Sequence, residues 1–256
     1  MKRVLGSIRR AVERYNMIEE GDKVCIGVSG GKDSLLLMEA MKLYQRFSYV
    51  NFDVCAVMLD LGLKQHDFSK IEAYAERIGI DFEIIHTDIG KVVFEYRDER
   101  SPCALCAKLR RGALNTAAVE RGCNKVALGH NREDVLETFF LSLLYEGRIS
   151  TFAPVTYLSR RDVTVIRPMI YLPEKYALSI AKQRELPILP PNCDIAGSTK
   201  REEAKELIKH LSTLVPDIEE KMMHAIESTE TYRLWDRMRL KPKDGSLPVQ
   251  DGPDNE

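Results

Sequence analysis

Apolar and polar residues alternate along the chain in blocks that switch between two periods. Short apolar runs, typical of buried strands, are separated by segments in which apolar residues recur every three or four positions, as in helices. The predicted strands are 23–28, 52–59, 82–86, 125–128 and 163–167, and the predicted helices between them are 33–45, 67–78, 107–121 and 131–145. This alternation predicts an α/β fold with a doubly wound, five-stranded parallel sheet and helices on both faces.

Three further segments flank the predicted sheet. Val4, Leu5, Ile8 and Val12 recur at helical spacing, so residues 1–20 are predicted to form an amphipathic helix docked on a domain of residues 21–172. Helical patterns at 174–184, 200–214 and 217–239 predict a helical C-terminal part at 173–240. Residues 241–256 hold three prolines and almost no apolar side chains, and we expect a disordered tail there.

Composition narrows the function only slightly. A net charge of −1 gives no global footprint for nucleic acid, so any RNA contact must come from local clusters, either Lys108, Arg110 and Arg111 or Lys200 and Arg201. No apolar run approaches the ~18 residues of a membrane span, and the first residues lack a signal-peptide pattern. We expect a cytoplasmic protein that does not bind membranes.

Six cysteines in such a chain indicate metal or redox chemistry rather than a disulfide framework. Cys25 and Cys55 lie within apolar strand patterns and Cys123 directly precedes another, so these three are expected to be small core residues. The others are predicted to lie in loops: Cys103, Cys106 and Cys193.

A glycine-rich motif follows the first predicted strand and opens a helix. Its glycines allow close backbone approach to an anion, the helix start offers free N–H groups, and its lysine adds positive charge. This predicts a phosphate-binding loop, although a turn that serves only tight packing is the alternative. The spacing differs from that of a Walker loop. The motif reads Ser29-Gly30-Gly31-Lys32-Asp33-Ser34.

This motif resembles the signature of the PP-loop ATP-pyrophosphatase family, whose members cleave ATP to AMP and pyrophosphate and activate an acceptor by adenylation. Because Asp33 would repel bound phosphates, we expect a bridging Mg²⁺. A second segment, 128–134, follows the fourth predicted strand and resembles the Gly-His-x-x-Asp-Asp segment of the tRNA-modifying branch, with Glu133 in place of the first acid. Its alternatives are that His130 caps a helix and that Asp134 complements the helix dipole.

Ligands of doubly wound sheets bind at the carboxyl ends of strands where the strand order reverses, so the two segments should face each other. Asp60, at the end of the second predicted strand, is expected to line the same crevice. The resemblance implies catalytic roles for Lys32, Asp60 and Asp134. The implied ATP site comprises Ser29, Gly30, Gly31, Lys32, Asp33, Ser34, Met58, Asp60, Gly129, His130 and Asp134.

The cysteine pattern indicates which branch of the family the chain resembles. Cys-x-x-Cys-x3-Arg-Arg at 103–111, Ile166-Arg167-Pro168 and the late Cys193 together resemble the tRNA 2-thiocytidine and 2-thiouridine synthetase branch over about residues 21–228. The resemblance implies that Cys103, Cys106 and Cys193 hold a [4Fe-4S] cluster with one open iron. A zinc site, or a cluster-free disulfide or persulfide pair at Cys103 and Cys106, are the alternatives.

The resemblance therefore implies an ATP-dependent tRNA sulfurtransferase. ATP would adenylate the C2 oxygen of a tRNA pyrimidine, and sulfide at the open iron would displace AMP. Lys108, Arg110 and Arg111 would bind tRNA phosphates or form a solvated helix face. We expect a homodimer that receives sulfur as sulfide or from a cysteine desulfurase. The rival hypotheses are a cluster-free ligase such as tRNA-Ile lysidine synthetase and a metal-binding ATP sensor without turnover.

Overall fold

The computed structural model describes residues 1–63, 66–94, 102–190 and 200–228. The chain divides into two compact units, Met1–Lys209 and His210–Glu256. The strands are β1 (Lys23–Val28), β2 (Asp53–Asp60), β3 (Asp81–His86), β4 (Lys125–Ala127), β5 (Val155–Leu158) and β6 (Val163–Ile166). The helices are α1 (Lys2–Arg14), α2 (Lys32–Tyr44), α3 (Ser69–Ile78), α4 (Ile89–Phe94), α5 (Pro102–Glu120), α6 (Arg132–Glu146), α7 (Glu174–Gln183), α8 (Lys200–Leu214) and α9 (Ile218–Glu227).

One sheet contains all six of these strands in the order β3-β2-β1-β4-β6-β5. The five predicted strands are present and pair in parallel. The predicted number of strands is wrong, because β5 adds an antiparallel edge strand that pairs Val155 with Ile166 and Leu158 with Val163. This strand has only four residues and an exposed Tyr157, so it lacks the continuous apolar run of a buried parallel strand.

Helices cover both faces of the sheet, as predicted. A Cβ on Gly27 of β1 would lie 2.6 Å from the Leu114 side chain of α5, so this face of β1 packs on α5. Alternate residues of β1 point to the opposite face, and α2 packs against β1 and β2. The order of strands reverses between β1 and β4, which places the ligand crevice of such a sheet at the carboxyl ends of these two strands.

The three cysteines predicted to be core residues are buried together between the sheet and α5. Cys25 and Cys55 are partners in the β1–β2 register, and the Sγ atoms of Cys55 and Cys123 lie 3.4 Å apart. All three belong to an apolar cluster with Ala117 and Ala118 of α5. The prediction of small buried thiols is confirmed.

The amphipathic N-terminal helix is also confirmed. α1 buries Val4, Ile8, Ala11 and Val12 and packs on α2 and α7. No helix among the described residues is long and apolar enough to cross a bilayer. The predicted helix at 217–239 is described only as far as Ser228, and the predicted tail at 241–256 lies outside the described residues.

The start of α5 differs from the prediction. The helix begins at Pro102 rather than at Ala107, because proline is well tolerated in a first helical turn. Leu105 and Leu109 also continue its apolar stripe, which packs against Leu61 and Val93. Cys103 and Cys106 are therefore the second and fifth residues of α5, and their predicted placement in a loop is wrong.

Candidate nucleotide-binding and catalytic site

The predicted phosphate-binding loop joins β1 to α2. Gly30 has a φ of +81°, a backbone conformation that is strained for any residue with a side chain, and Gly31 is the N-cap of α2. The Ser34 hydroxyl accepts a hydrogen bond from the Ser29 N–H at 3.0 Å and donates one to the Gly31 carbonyl oxygen at 2.9 Å. The loop is thus held in shape by its own buried serine.

The loop lysine is held between two carboxylates. Lys32 Nζ lies 2.8 Å from an oxygen of Asp33 and 2.8 Å from Oε1 of Glu174, the first residue of α7. The other oxygen of Glu174 pairs with Lys205 at 3.0 Å. Burial opposes the charge of Lys32, but these carboxylates outweigh it and leave its pKa raised. Lys32 is therefore a fixed cation at the helix start.

The second predicted segment meets the phosphate loop across the crevice. The cap of α6 is Asn131 rather than His130: Asn131 and Asp134 form a reciprocal capping box, with hydrogen bonds of 2.9 and 3.1 Å. Asp134 also pairs with Arg201 at 3.1 Å. Glu133 accepts a hydrogen bond of 2.7 Å from the backbone N–H of Glu174, so it ties this segment to the start of α7.

Gly129 is the point of closest contact between the two loops. A Cβ there would lie 3.1 Å from backbone atoms of Asp33 and Ser34, which cannot move without shifting the phosphate loop. We expect Gly129→Ala to destabilise the protein by about 1–3 kcal/mol in urea unfolding, because the added methyl group overpacks the loop contact. Gly112→Ala is the matched control, since nothing lies within 4 Å of that position. A helical alanine there should stabilise by about 0.5–1 kcal/mol, and equal effects at both positions would contradict this account of the loop contact.

A cavity of about 650 Å³ opens at the carboxyl ends of the strands. One wall is the phosphate loop and another is the first half of α5. Its lining is apolar between the sheet and α5 and basic at its mouth. The residues that line it are Gly27, Val28, Ser29, Gly31, Asp33, Ser34, Val57, Leu59, Ala107, Arg110, Arg111, Leu114, Leu128, Gly129, His130, Thr138, Phe152, Arg167 and Arg201.

Burial and neighbouring charges shift the pKa values of several groups at the cavity. Burial, with the nearby charges of Arg167, Arg201 and Arg111, lowers the pKa of His130 to about 4, so its imidazole is neutral at pH 7. Burial also raises the pKa of Asp134. Burial and the neighbouring Asp134 raise the pKa of Glu137 to about 7. The Glu137 carboxyl group can therefore hold or release a proton near neutral pH.

Other predicted site residues are placed less centrally. The Met58 side chain is fully buried, and Met58 is not among the residues that line the cavity. Asp60 lies at the end of β2, also outside the lining, where it pairs with His86 Nδ1 at 2.9 Å. Arg110 and Arg111 line the cavity, whereas Lys108 is exposed and does not.

The described cysteines of the predicted triad do not line this cavity: Cys103 is exposed, and half-buried Cys106 packs against the apolar cluster of Leu61, Ile89 and Val93. Cys103 and Cys106 are three residues apart, so they share one face of α5. Cys103 precedes the cavity residue Ala107 by about one helical turn. Cys193 lies outside the described residues. Among the residues that the structure does describe, no three His, Cys, Asp or Glu side chains are arranged to hold a metal ion.

Three site residues were not predicted in their present roles. Glu174 pairs with both Lys32 and Lys205, and Arg201 bridges Asp134 and Glu137 at 3.1 and 3.2 Å. The sequence indicates Arg201 only as part of a candidate RNA-binding cluster. The acidic first turn of α7 was visible in the sequence, but its position over the phosphate loop follows only from the three-dimensional packing.

Comparison with known proteins identifies the class. The family model described as PP-loop domain matches residues 5–189. The chain therefore belongs to the PP-loop family. Its curated relatives include proteins named tRNA-cytidine(32) 2-sulfurtransferase. That of Tolumonas auensis is 36% identical over 99% of this chain and 85% of the relative, and that of Azotobacter vinelandii is 38% identical over 92% and 87%.

A solved structure supports the fold. The U34-tRNA thiolase NcsA from Methanococcus maripaludis, solved with its [4Fe-4S] cluster, matches 90% of this chain and 79% of its own with a TM-score of 0.72. At 24% sequence identity this likeness concerns the fold alone.

Proposed function

We propose that this protein is an ATP-dependent tRNA sulfurtransferase that replaces the C2 oxygen of a tRNA cytidine with sulfur. The observation that carries the proposal is the shared wall of the cavity. One helix, α5, presents Cys103 and Cys106 near its start and Arg110 and Arg111 in the cavity that the phosphate loop also lines. Cytidine is favoured as the target because the curated relatives are named for it.

ATP is proposed to bind with its phosphates on the Ser29–Ser34 loop and its adenine in the apolar part of the cavity. The loop offers N–H groups at the start of α2 and the cation of Lys32. The C2 oxygen of the cytidine would attack the α-phosphorus and release pyrophosphate, and sulfur would then add at C2 and release AMP. Adenylation turns a poor leaving group into a good one.

Mg²⁺ is proposed to accompany the nucleotide. Asp33 lies beside the phosphate loop, and its Oδ1 is buried without a hydrogen-bond partner among the described residues. Burial raises the pKa of this carboxyl, although Lys32 opposes the shift. A hard divalent cation would satisfy the oxygen and neutralise phosphate charge, and oxygen ligands are those that Mg²⁺ prefers.

The donor set also fits a [4Fe-4S] cluster. Thiolates are the usual protein ligands of such clusters, and Cys103 and Cys106 share a face of α5, the helix whose later residues line the cavity. Cys193 is the proposed third ligand, on the resemblance alone. A cluster held by three cysteines would supply an iron that can accept sulfur from a donor, either sulfide or a cysteine desulfurase.

The tRNA is proposed to approach the basic mouth of the cavity. Arg110 and Arg111 line it, Lys108 is exposed one turn away, and Arg201 enters it from α8. Guanidinium groups suit RNA phosphates because they donate hydrogen bonds in a fixed planar geometry. A homodimer remains our expectation for the assembly.

The test uses anaerobically purified protein with ATP, Mg²⁺, sulfide and unmodified tRNA. We expect pyrophosphate release that depends on tRNA, and 2-thiocytidine in nucleosides analysed by mass spectrometry. Chelation of divalent ions should stop pyrophosphate release, because phosphate charge would no longer be neutralised. Pyrophosphate release with tRNA but without any thionucleoside would favour the ligase hypothesis, and binding of ATP without turnover would favour the sensor.

A further inference from the structure

One corner of the cavity is formed by His130, Phe152 and Arg167. His130 follows β4, Arg167 follows β6 and Phe152 precedes β5, whereas the phosphate loop follows β1. The Phe152 ring centroid lies 4.8 Å from that of His130 and 4.9 Å from Cζ of Arg167. The phenyl ring therefore holds an imidazole and a guanidinium against one end of the cavity.

Each of these two polar groups has a nitrogen that is buried without a hydrogen-bond partner among the described residues. They are Nδ1 of His130 and Nε of Arg167. The Arg167 side chain is otherwise fixed, because its Nη1 donates hydrogen bonds to the Ala153 carbonyl oxygen at 2.6 Å and to the Thr156 hydroxyl at 3.2 Å. Buried polar groups in proteins are rarely left unpaired. The corner is therefore matched to a ligand with hydrogen-bonding groups of its own.

The chemistry of the two groups describes that ligand. Arginine only donates hydrogen bonds, whereas a neutral imidazole accepts at one of its nitrogens. A pyrimidine edge offers an acceptor beside a donor, N3 beside the 4-amino group in cytosine and O4 beside N3–H in uracil. Arg111 and Arg201 add positive charge, which attracts a polyanion. The adenine of ATP is proposed to bind in a different part of the cavity, the apolar part lined by Val57 and Leu114.

Resting on the proposed function, we propose that this corner binds the pyrimidine base that is modified. His130 and Arg167 contact its polar edge, so His130 binds the base in place of the ATP contact that the resemblance implies for it, and Phe152 is a positioning residue that holds both. Enzymes that do chemistry on a base take it out of its stack into a pocket, and a corner beside the phosphate loop would receive such a base next to the α-phosphate.

The first experiment separates binding of tRNA from binding of ATP in steady-state thiolation. We expect His130→Leu and Phe152→Leu to lower kcat/KM for tRNA at least about tenfold, because the polar contacts are lost or misplaced, while KM for ATP stays within about twofold. His130→Asn keeps an acceptor and Phe152→Tyr keeps the ring, so both should recover most of the loss. Phe47→Leu is the matched control, because Phe47 is exposed in the segment after α2.

A second measurement does not depend on turnover. A tRNA with a fluorescent cytosine analogue at the target position should change emission on binding wild-type protein and the Phe47→Leu variant, but not His130→Leu. A rise in KM for ATP alone, or His130 and Phe152 variants that behave like the control, would overturn the base assignment. Wild-type protein that forms no thionucleoside would instead refute the proposed function, and the emission change would still decide whether this corner holds the base.

Discussion

Lys32→Ala is expected to reduce pyrophosphate release at least about 10²- to 10³-fold, the loss typical when a fixed group that stabilises developing charge is removed. Lys32 is the cation that the structure fixes at the start of α2, within the loop that faces the cavity. Iron content should not change, because Cys103 and Cys106 lie on α5.

Lys42→Ala is the matched control for this variant, since Lys42 lies in the last turn of the same helix and bonds only Gln45 among the contacts described. It should release pyrophosphate at the rate of the wild type. The Lys32→Ala variant loses one of the two ion pairs of Glu174 and keeps only that with Lys205. Near-ultraviolet circular dichroism would therefore check that the variant keeps its fold. Undiminished pyrophosphate release by a folded Lys32→Ala protein would refute the assignment of the phosphate loop.

The cysteines should divide into two groups by iron content. Anaerobically isolated wild-type protein is expected to be brown with about four irons, and Cys103→Ala, Cys106→Ala and Cys193→Ala should each lose the cluster, because each removes one of three thiolate ligands. Iron and sulfide analysis with visible absorption spectra would measure the loss.

The same substitution at Cys25, Cys55 or Cys123 is the control, since these thiols are buried between the sheet and α5. These variants should keep iron, even where the lost packing lowers their stability. Iron that survives in Cys193→Ala, or that disappears in Cys123→Ala, would show that the ligand set is a different one. Sulfur delivery through an open iron would then lose its basis.

Much of the fold could be predicted because the buried face of each helix or strand requires apolar residues at regular intervals in the sequence. β1 and β2 are continuous apolar runs since both faces of a parallel strand are covered, and the apolar stripe of α1 docks as its spacing predicts. β5 escaped prediction because an edge strand of four half-exposed residues needs no such run. The predicted helix 107–121 lacks the first five residues of α5, although proline is well tolerated at the start of a helix.

The site was only partly predictable, for a related reason. The local geometry of motifs that are contiguous in the chain, such as the phosphate loop and the Asn131 to Asp134 segment, can be predicted from their sequence. Contacts between segments that are distant in the chain cannot be predicted in this way. The approach of Glu174 to Lys32 depends on where α7 packs over α2, and neither residue signals it in the sequence.

When a nucleotide binds, its phosphate must replace the Glu174 carboxylate as the partner of Lys32. Its carboxylate contacts Lys32 where a phosphate oxygen is proposed to bind, and hydrogen bonds from Lys32 and Lys205 outweigh burial and lower its pKa, so it remains charged. An incoming anion must therefore displace a resident competitor. A singly charged anion gains little from this exchange, whereas a triphosphate brings several charges and also contacts the loop N–H groups. Because Lys205 can stay paired with Glu174 after the exchange, no carboxylate is left uncompensated, and we expect the site to select against small anions.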